Sequence, residues 1–120
     1  MYRQKLTDVP THILDVPAGI KRGFKWQSDY NVAAWFRFKH LSQDSAKLYI
    51  HWKDDNGEQS VCVDQTTVNS ASLLLSGIAR LKITGPLQSI SVAMETSNLS
   101  FTVDELFVQP TKTGFQSKQA

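Results

Sequence analysis

The chain is poor in residues that fix a fold by covalent or metal chemistry. Cys62 is the only cysteine, so no disulfide can close within the chain and the fold must rest on packing. Long apolar runs are missing too. The longest cluster, Leu73 to Leu75, falls far short of the roughly 20 residues that a membrane-spanning helix needs. A charge excess is also lacking: 13 basic residues stand against 11 acidic ones, a net charge of +2. That balance argues against a nucleic-acid footprint or a polybasic membrane anchor. The basic residues are scattered apart from Lys21, Arg22 and Lys25, which read as a solvated face.

There is no internal repeat, no low-complexity segment, no nucleophile elbow, no phosphate-binding glycine loop and no dinucleotide fingerprint. These absences leave no assembled catalytic group, so the expectation is a protein that is not an enzyme and carries no cofactor. Met1 to Pro10 holds no apolar stretch of the kind a secretory signal requires. With a lone cysteine, this favours a cytoplasmic setting.

What is present is ordinary globular material. A hydrophobic content of 41% and a charged content of 20% over 120 residues suit one domain with its own core rather than a disordered chain. The boundaries read as one domain over residues 1–110 and a flexible polar tail over 111–120.

The strongest local signal lies between Lys47 and Val63. Leu48, Ile50 and Trp52 alternate on one arm, Val61 and Val63 on the other, and Asn56-Gly57 sits between them. Asn-Gly favours a two-residue turn with positive φ at both positions. That geometry sets Asp55 against Glu58, Trp52 against Val61, and His51 against Cys62. Trp52 then points inward, and Tyr49 and His51 point outward.

Other segments follow the same period. Residues 1–10 read as an arm or edge strand, Thr11 to Val16 as a short strand, and Ile20 to Trp26 as another. Gln27 to Asn31 reads as a polar turn. Val32 to His40 is a long strand with Val32, Ala34, Phe36 and Phe38 on one face and Trp35, Arg37 and Lys39 on the other. Leu41 to Ala46 and Asp64 to Ser70 read as loops. Ala71 to Leu75 and Arg80 to Thr84 read as two strands around Ser76-Gly77, although the spacing of Leu73, Leu74, Ile78 and Leu81 also admits a helix over Ser70 to Leu81. Ser89 to Met94 alternates cleanly. Between Phe101 and Val108 the apolar parity flips, which marks a β-bulge near Asp104-Glu105. Eight or nine short strands at this spacing point to an all-β, antiparallel two-sheet β-sandwich of jelly-roll type. The expected core is Phe24, Trp26, Phe36, Phe38, Leu48, Ile50, Trp52, Val61, Leu81, Ile83, Ile90, Val92, Phe101 and Val103.

The run Phe101-Thr102-Val103-Asp104-Glu105-Leu106-Phe107-Val108, preceded by the alternating Ser89 to Met94, resembles the closing strands of non-catalytic jelly-roll carbohydrate-binding modules and the wider galactose-binding-like sandwiches. Tyr30 to Lys39 is similar to the early long strand of that group. The resemblance spans about half the chain and implies a jelly-roll sandwich and glycan binding.

For a site, Trp35, Arg37, Tyr49 and His51 are the candidate ligand-binding residues. If their strands share a sheet, they form one aromatic and basic patch able to stack on sugar faces and bond hydroxyls. The alternative is that Trp35 is structural. His51 with Cys62 lacks further metal ligands or an orienting third group. The acidic Asp54-Asp55-Asn56-Gly57-Glu58 run lacks calcium-loop spacing, and Asp104 and Glu105 point to opposite faces. No metal is expected. The partners that fit are a carbohydrate or a protein, with a homo-oligomer allowed and neither nucleic acid nor membrane. The alternative function is a structural or assembly protein, in a phage-like or intracellular role, that pairs through a sheet face or edge, and the third is an enzyme of unknown class.

Overall fold

Alternation of period two runs farther along this chain than the separate segments suggest. The computed structural model describes residues 3–10, 19–41, 43–98 and 100–111. Among these residues the chain forms seven strands and no helix: β1 (Arg3–Asp8), β2 (Lys25–Phe38), β3 (Ser45–Asp54), β4 (Gly57–Thr67), β5 (Ser72–Thr84), β6 (Ser89–Thr96) and β7 (Phe101–Pro110). They make two antiparallel sheets, ordered β1-β6-β3-β4 and β5-β2-β7. Pairing is nested: β1 lies against β6, β2 against β5 and β3 against β4, while β3 also pairs with β6 and β7 adds along the free side of β2. Inward side chains of both sheets meet in one hydrophobic core.

Two long strands replace segments that read as turns. Gln27 to Asn31 is not a turn but part of β2, and Tyr30 within it is fully buried. Its hydroxyl is accommodated locally, because the Ser28 hydroxyl donates to the Tyr30 oxygen at 2.6 Å. The inward parity then runs unbroken through Val32, Ala34, Phe36 and Phe38. Ile20 to Trp26 correspondingly contributes only its last two residues to a strand, and Phe24, expected in the core, is 54% exposed. Likewise β5 is one strand, with neither a turn at Ser76-Gly77 nor a helix over Ser70 to Leu81. Leu73, Leu75, Ala79, Leu81 and Ile83 are all buried on one parity. Gly77 holds the same parity for a steric reason: a Cβ there would lie 2.7 Å from the Val63 carbonyl oxygen of β4. Backbone approach, not chain reversal, requires the glycine.

The β3–β4 hairpin keeps the expected inward set, with Leu48, Ile50 and Trp52 buried, but its register differs. Asp54 pairs with Gly57, Trp52 with Gln59 and Ile50 with Val61. Asp55 therefore lies in the turn rather than opposite Glu58. Among the described residues only Gln43 has a positive φ without being glycine, whereas Gly57 has φ 92°. Asn56 is thus not left-handed, and the turn places its left-handed residue third rather than using Asn-Gly as a central pair. A bulge at Val63, between the pairs Tyr49–Cys62 and Leu48–Asp64, follows. β4 continues to Thr67 instead of ending in a loop at Asp64. The Asp64 carboxylate accepts the Ser76 amide of β5 at 2.9 Å, which ties the two sheets together along that side. The opposite side stays open, with a cleft of about 280 Å3 between Thr7–Pro10 and Leu106–Val108.

The expected bulge in β7 is present: Glu105 pairs with Trp35 and Val103 with Phe36, leaving Asp104 as the extra residue. Val103, expected in the core, is 39% exposed because β7 is an edge strand there. Trp26, Val61 and Phe101 pack on the core only partly buried. The strand read over Thr11 to Val16 and the tail beyond Thr111 lie outside the described residues.

Candidate functional site

The single patch of Trp35, Arg37, Tyr49 and His51 requires β2 and β3 to share a sheet, and they do not. Even-numbered residues of both strands enter the core, so the odd-numbered ones leave it on opposite sides. Trp35 and Arg37 stand on the outer face of β5-β2-β7. Tyr49 and His51 stand on the outer face of the four-stranded sheet. The four side chains therefore divide into two pairs with the core between them.

On the four-stranded sheet the centre is taken by Arg3, a residue no local pattern singles out. Register places Arg3 opposite Glu95, with Lys47 flanking Glu95 from β3. Arg3 bonds the Glu95 carboxylate through Nε at 3.3 Å and Nη2 at 3.2 Å. Its Cζ lies 3.7 Å from the centroid of the Tyr49 ring, a cation–π contact. Its Nη1 is 3.3 Å from His51 Nε2. A guanidinium has no acceptor, so Nε2 must be the unprotonated nitrogen and His51 is neutral in this arrangement. The Arg3 guanidinium thus covers one face of the Tyr49 ring.

Burial, with the Arg3 charge second, pushes the His51 pKa below its usual value, against a smaller opposing pull from Glu58. The sign is that of a histidine kept neutral by folding: the unfolded chain binds the proton more readily, so this contribution to stability is present above the ordinary histidine pKa and is lost as pH falls through the lowered one. Thermal unfolding measured between about pH 7.5 and pH 5 should show a stability loss on acidification that is smaller in His51→Gln.

The β5-β2-β7 outer face differs in kind. Trp35 and Leu74 are direct cross-strand neighbours, as are Ala33 and Phe107, and Asn31 and Ile78. Trp35 is 41% exposed, Leu74 41%, Ile78 47% and Phe107 48%. Small Ala33 forms the floor of a shallow groove of about 430 Å3, with Ile78 and Phe107 as walls and Asn31 and Gln109 at one end. Arg37 pairs with Asp104 at 2.9 Å beyond one end of this surface, and Arg80 with Asp29 at 3.9 Å beyond the other.

Comparison with protein-family models, with curated proteins and with solved structures finds no match to this chain.

The remaining candidates resolve as structure. His51 faces Ser60, and Cys62 faces Tyr49, so the two are not directly opposed. Among the described residues no three His, Cys, Asp or Glu side chains gather in a metal-holding group. Asp54, in the acidic run, is buried and accepts the Asn56 amide at 2.8 Å, the Thr84 amide at 2.9 Å and the Trp52 indole N–H at 3.3 Å. Asp55 accepts the Gly23 amide at 2.8 Å. Together these carboxylates join the hairpin tip to β5 and to the segment before β2. Asp104, the bulged residue, spends its charge on Arg37. Lys21, Arg22 and Lys25 are exposed.

Proposed function

We propose that this protein is a non-catalytic interaction domain on a jelly-roll β-sandwich, and that its working surface is the outer face of β5-β2-β7, which receives a protein partner. The nested pairing of β1 with β6, β2 with β5 and β3 with β4 is that of a hairpin rolled into two layers, which supports the jelly-roll reading. The observation that carries the function is the run of Trp35, Leu74, Ile78 and Phe107, each close to half exposed on one sheet face. Scattered apolar residues are ordinary on a surface, but a contiguous set flanked by charged pairs marks an interaction site. Its mixture of two aromatic and two aliphatic side chains suits the apolar centre of a protein interface, where aromatics and arginine are enriched.

Immobilised wild type and Trp35→Lys/Phe107→Lys, each exposed to lysate of the source organism, test this reading. Partners should be recovered on the wild type and lost on the variant, which folds with an unchanged circular dichroism spectrum because both side chains are at the surface. Equal recovery on the two baits contradicts the proposal.

Carbohydrate is the second reading. The groove beside Phe107, with Asn31 and Gln109 at its end, combines an aromatic wall with amide groups able to bond hydroxyls. A glycan array should then show binding that Phe107→Ala and Trp35→Ala abolish. Binding that survives both substitutions sinks this reading.

A further inference from the structure

The outer face of β5-β2-β7 is complementary to itself, and we infer that its partner is a second copy of this chain, packed face to face about a two-fold axis. The inference rests on the reading of this face as a protein-interaction surface, and it follows from the register. Along β2 the outward positions run Arg37, Trp35, Ala33, Asn31 and Asp29, with Leu74 beside Trp35 and Ile78 beside Asn31 on β5. Place a two-fold axis in the interface plane, across the strands at Ala33. Each outward row then meets the row equally far on the other side of Ala33. Leu74 meets Ile78 of the second copy, Phe107 meets Phe107, and Arg37 meets Asp29 of the second copy. Trp35 meets Asn31 of the second copy and Glu105 meets Gln109, so the centre combines aliphatic and Phe–Phe contacts with an indole over an amide, and opposite charges meet at both ends.

The alternative axis, along β2, sets Leu74 against Glu105 and Ile78 against Gln109. It also sets Arg37 against Arg37 and Asp29 against Asp29 of the second copy, whereas the first axis pairs opposite charges at both ends, so the first axis is favoured. The two ion pairs already present, Arg37–Asp104 and Arg80–Asp29, need not break; they become charge networks across the interface.

The size of the face fixes the strength. Three strands spaced about 4.8 Å apart, over about nine residues of 3.3 Å each, give roughly 15 by 30 Å, or about 450 Å2 per copy and about 900 Å2 in total. This lies below the roughly 1,200–2,000 Å2 of stable complexes and within the range of transient ones. The dimer is therefore weak and dependent on concentration. Isologous symmetry also closes it, so no fibre follows.

Sedimentation equilibrium from about 5 to about 500 µM tests the inference, since weak interfaces dissociate in this range. Wild type should pass from monomer to dimer. Arg37→Asp alone and Asp29→Arg alone should each dimerise about tenfold or more less tightly, because each sets like charges together at both ends. Their equimolar mixture should recover the dimer, because a heterodimer restores an opposite pair at each end. A wild type that stays monomeric throughout, single variants that associate like wild type, or a mixture no tighter than its components would each overturn the second-copy inference. The lysate experiment with Trp35→Lys/Phe107→Lys then decides separately whether the face binds some other protein.

Discussion

Phe36→Ala is expected to lower unfolding stability by about 3–5 kcal/mol, the cost of removing a fully buried aromatic side chain. Phe36 sits in the central strand of the three-stranded sheet, between Leu73 and Val103 in register, with 0% exposure. Its ring meets Phe101 edge-on at 5.8 Å and 79°, and Phe38 at 6.4 Å and 45°. Truncation removes both ring contacts along with the buried area, and neighbours held on two sides by β-ladders can close the cavity only in part. Against a total of about 5–15 kcal/mol for a domain, such a loss is a large share. Urea denaturation checks it, with Phe24→Ala as the internal standard. Phe24 is 54% exposed, so its truncation should change stability by no more than about 0.5 kcal/mol. Equal losses at the two positions would place Phe24 inside and contradict the described start of β2.

Asp54→Ala is the second large effect, expected at about 3 kcal/mol. The side chain is 3% exposed and answers three donors, two of them backbone amides. Without the carboxylate, the Thr84 and Asn56 amides and the Trp52 indole lose their acceptor, and each unsatisfied buried donor costs about 1–3 kcal/mol, reduced where water can enter. The Asn56 amide lies at the turn and is the easiest to rehydrate, which keeps the total near the lower bound. Asp54→Asn retains one acceptor oxygen but turns an NH2 toward an N–H, so it should fall between wild type and alanine. The same urea titration reads all three proteins, and an alanine variant as stable as wild type would show that the hairpin tip is not anchored through Asp54.

Particular residues show how far the sequence could be read. Leu48, Ile50 and Trp52 announce β3 and its inward face because their alternation is local and each is large. The parity flip after Val103 announces the bulge at Asp104 for the same reason. β5 hides its continuity because the inward positions at Gly77 and Ala79 are small, and at Gly77 the smallness answers the approach of Val63 in β4, a fact about distant chain. Tyr30 hides among Gln27, Ser28, Asp29 and Asn31, which look like a turn; Ser28 among them serves the buried phenol. The hairpin register departs from an Asn-Gly central pair, and in the observed register Asp54 reaches across to the Thr84 amide of β5, a contact no local pattern records. Sheet membership has no local signature at all. Whether β2 and β3 share a layer decides whether Trp35 and Tyr49 share a surface, and nothing in either segment records it. Arg3 over Tyr49 is a contact between distant segments of the same kind.

Hydroxyl-radical footprinting with residue-level mass spectrometry, run at low and high protein concentration, reads which side chains meet solvent and which become covered on association. Trp35 and Phe107 should be oxidised readily in dilute solution and become protected as concentration rises, while Trp52 and Phe36 stay protected throughout. Trp52 reacting as fast as Trp35 in dilute solution, or Trp35 and Phe107 equally reactive at every concentration, would contradict the account.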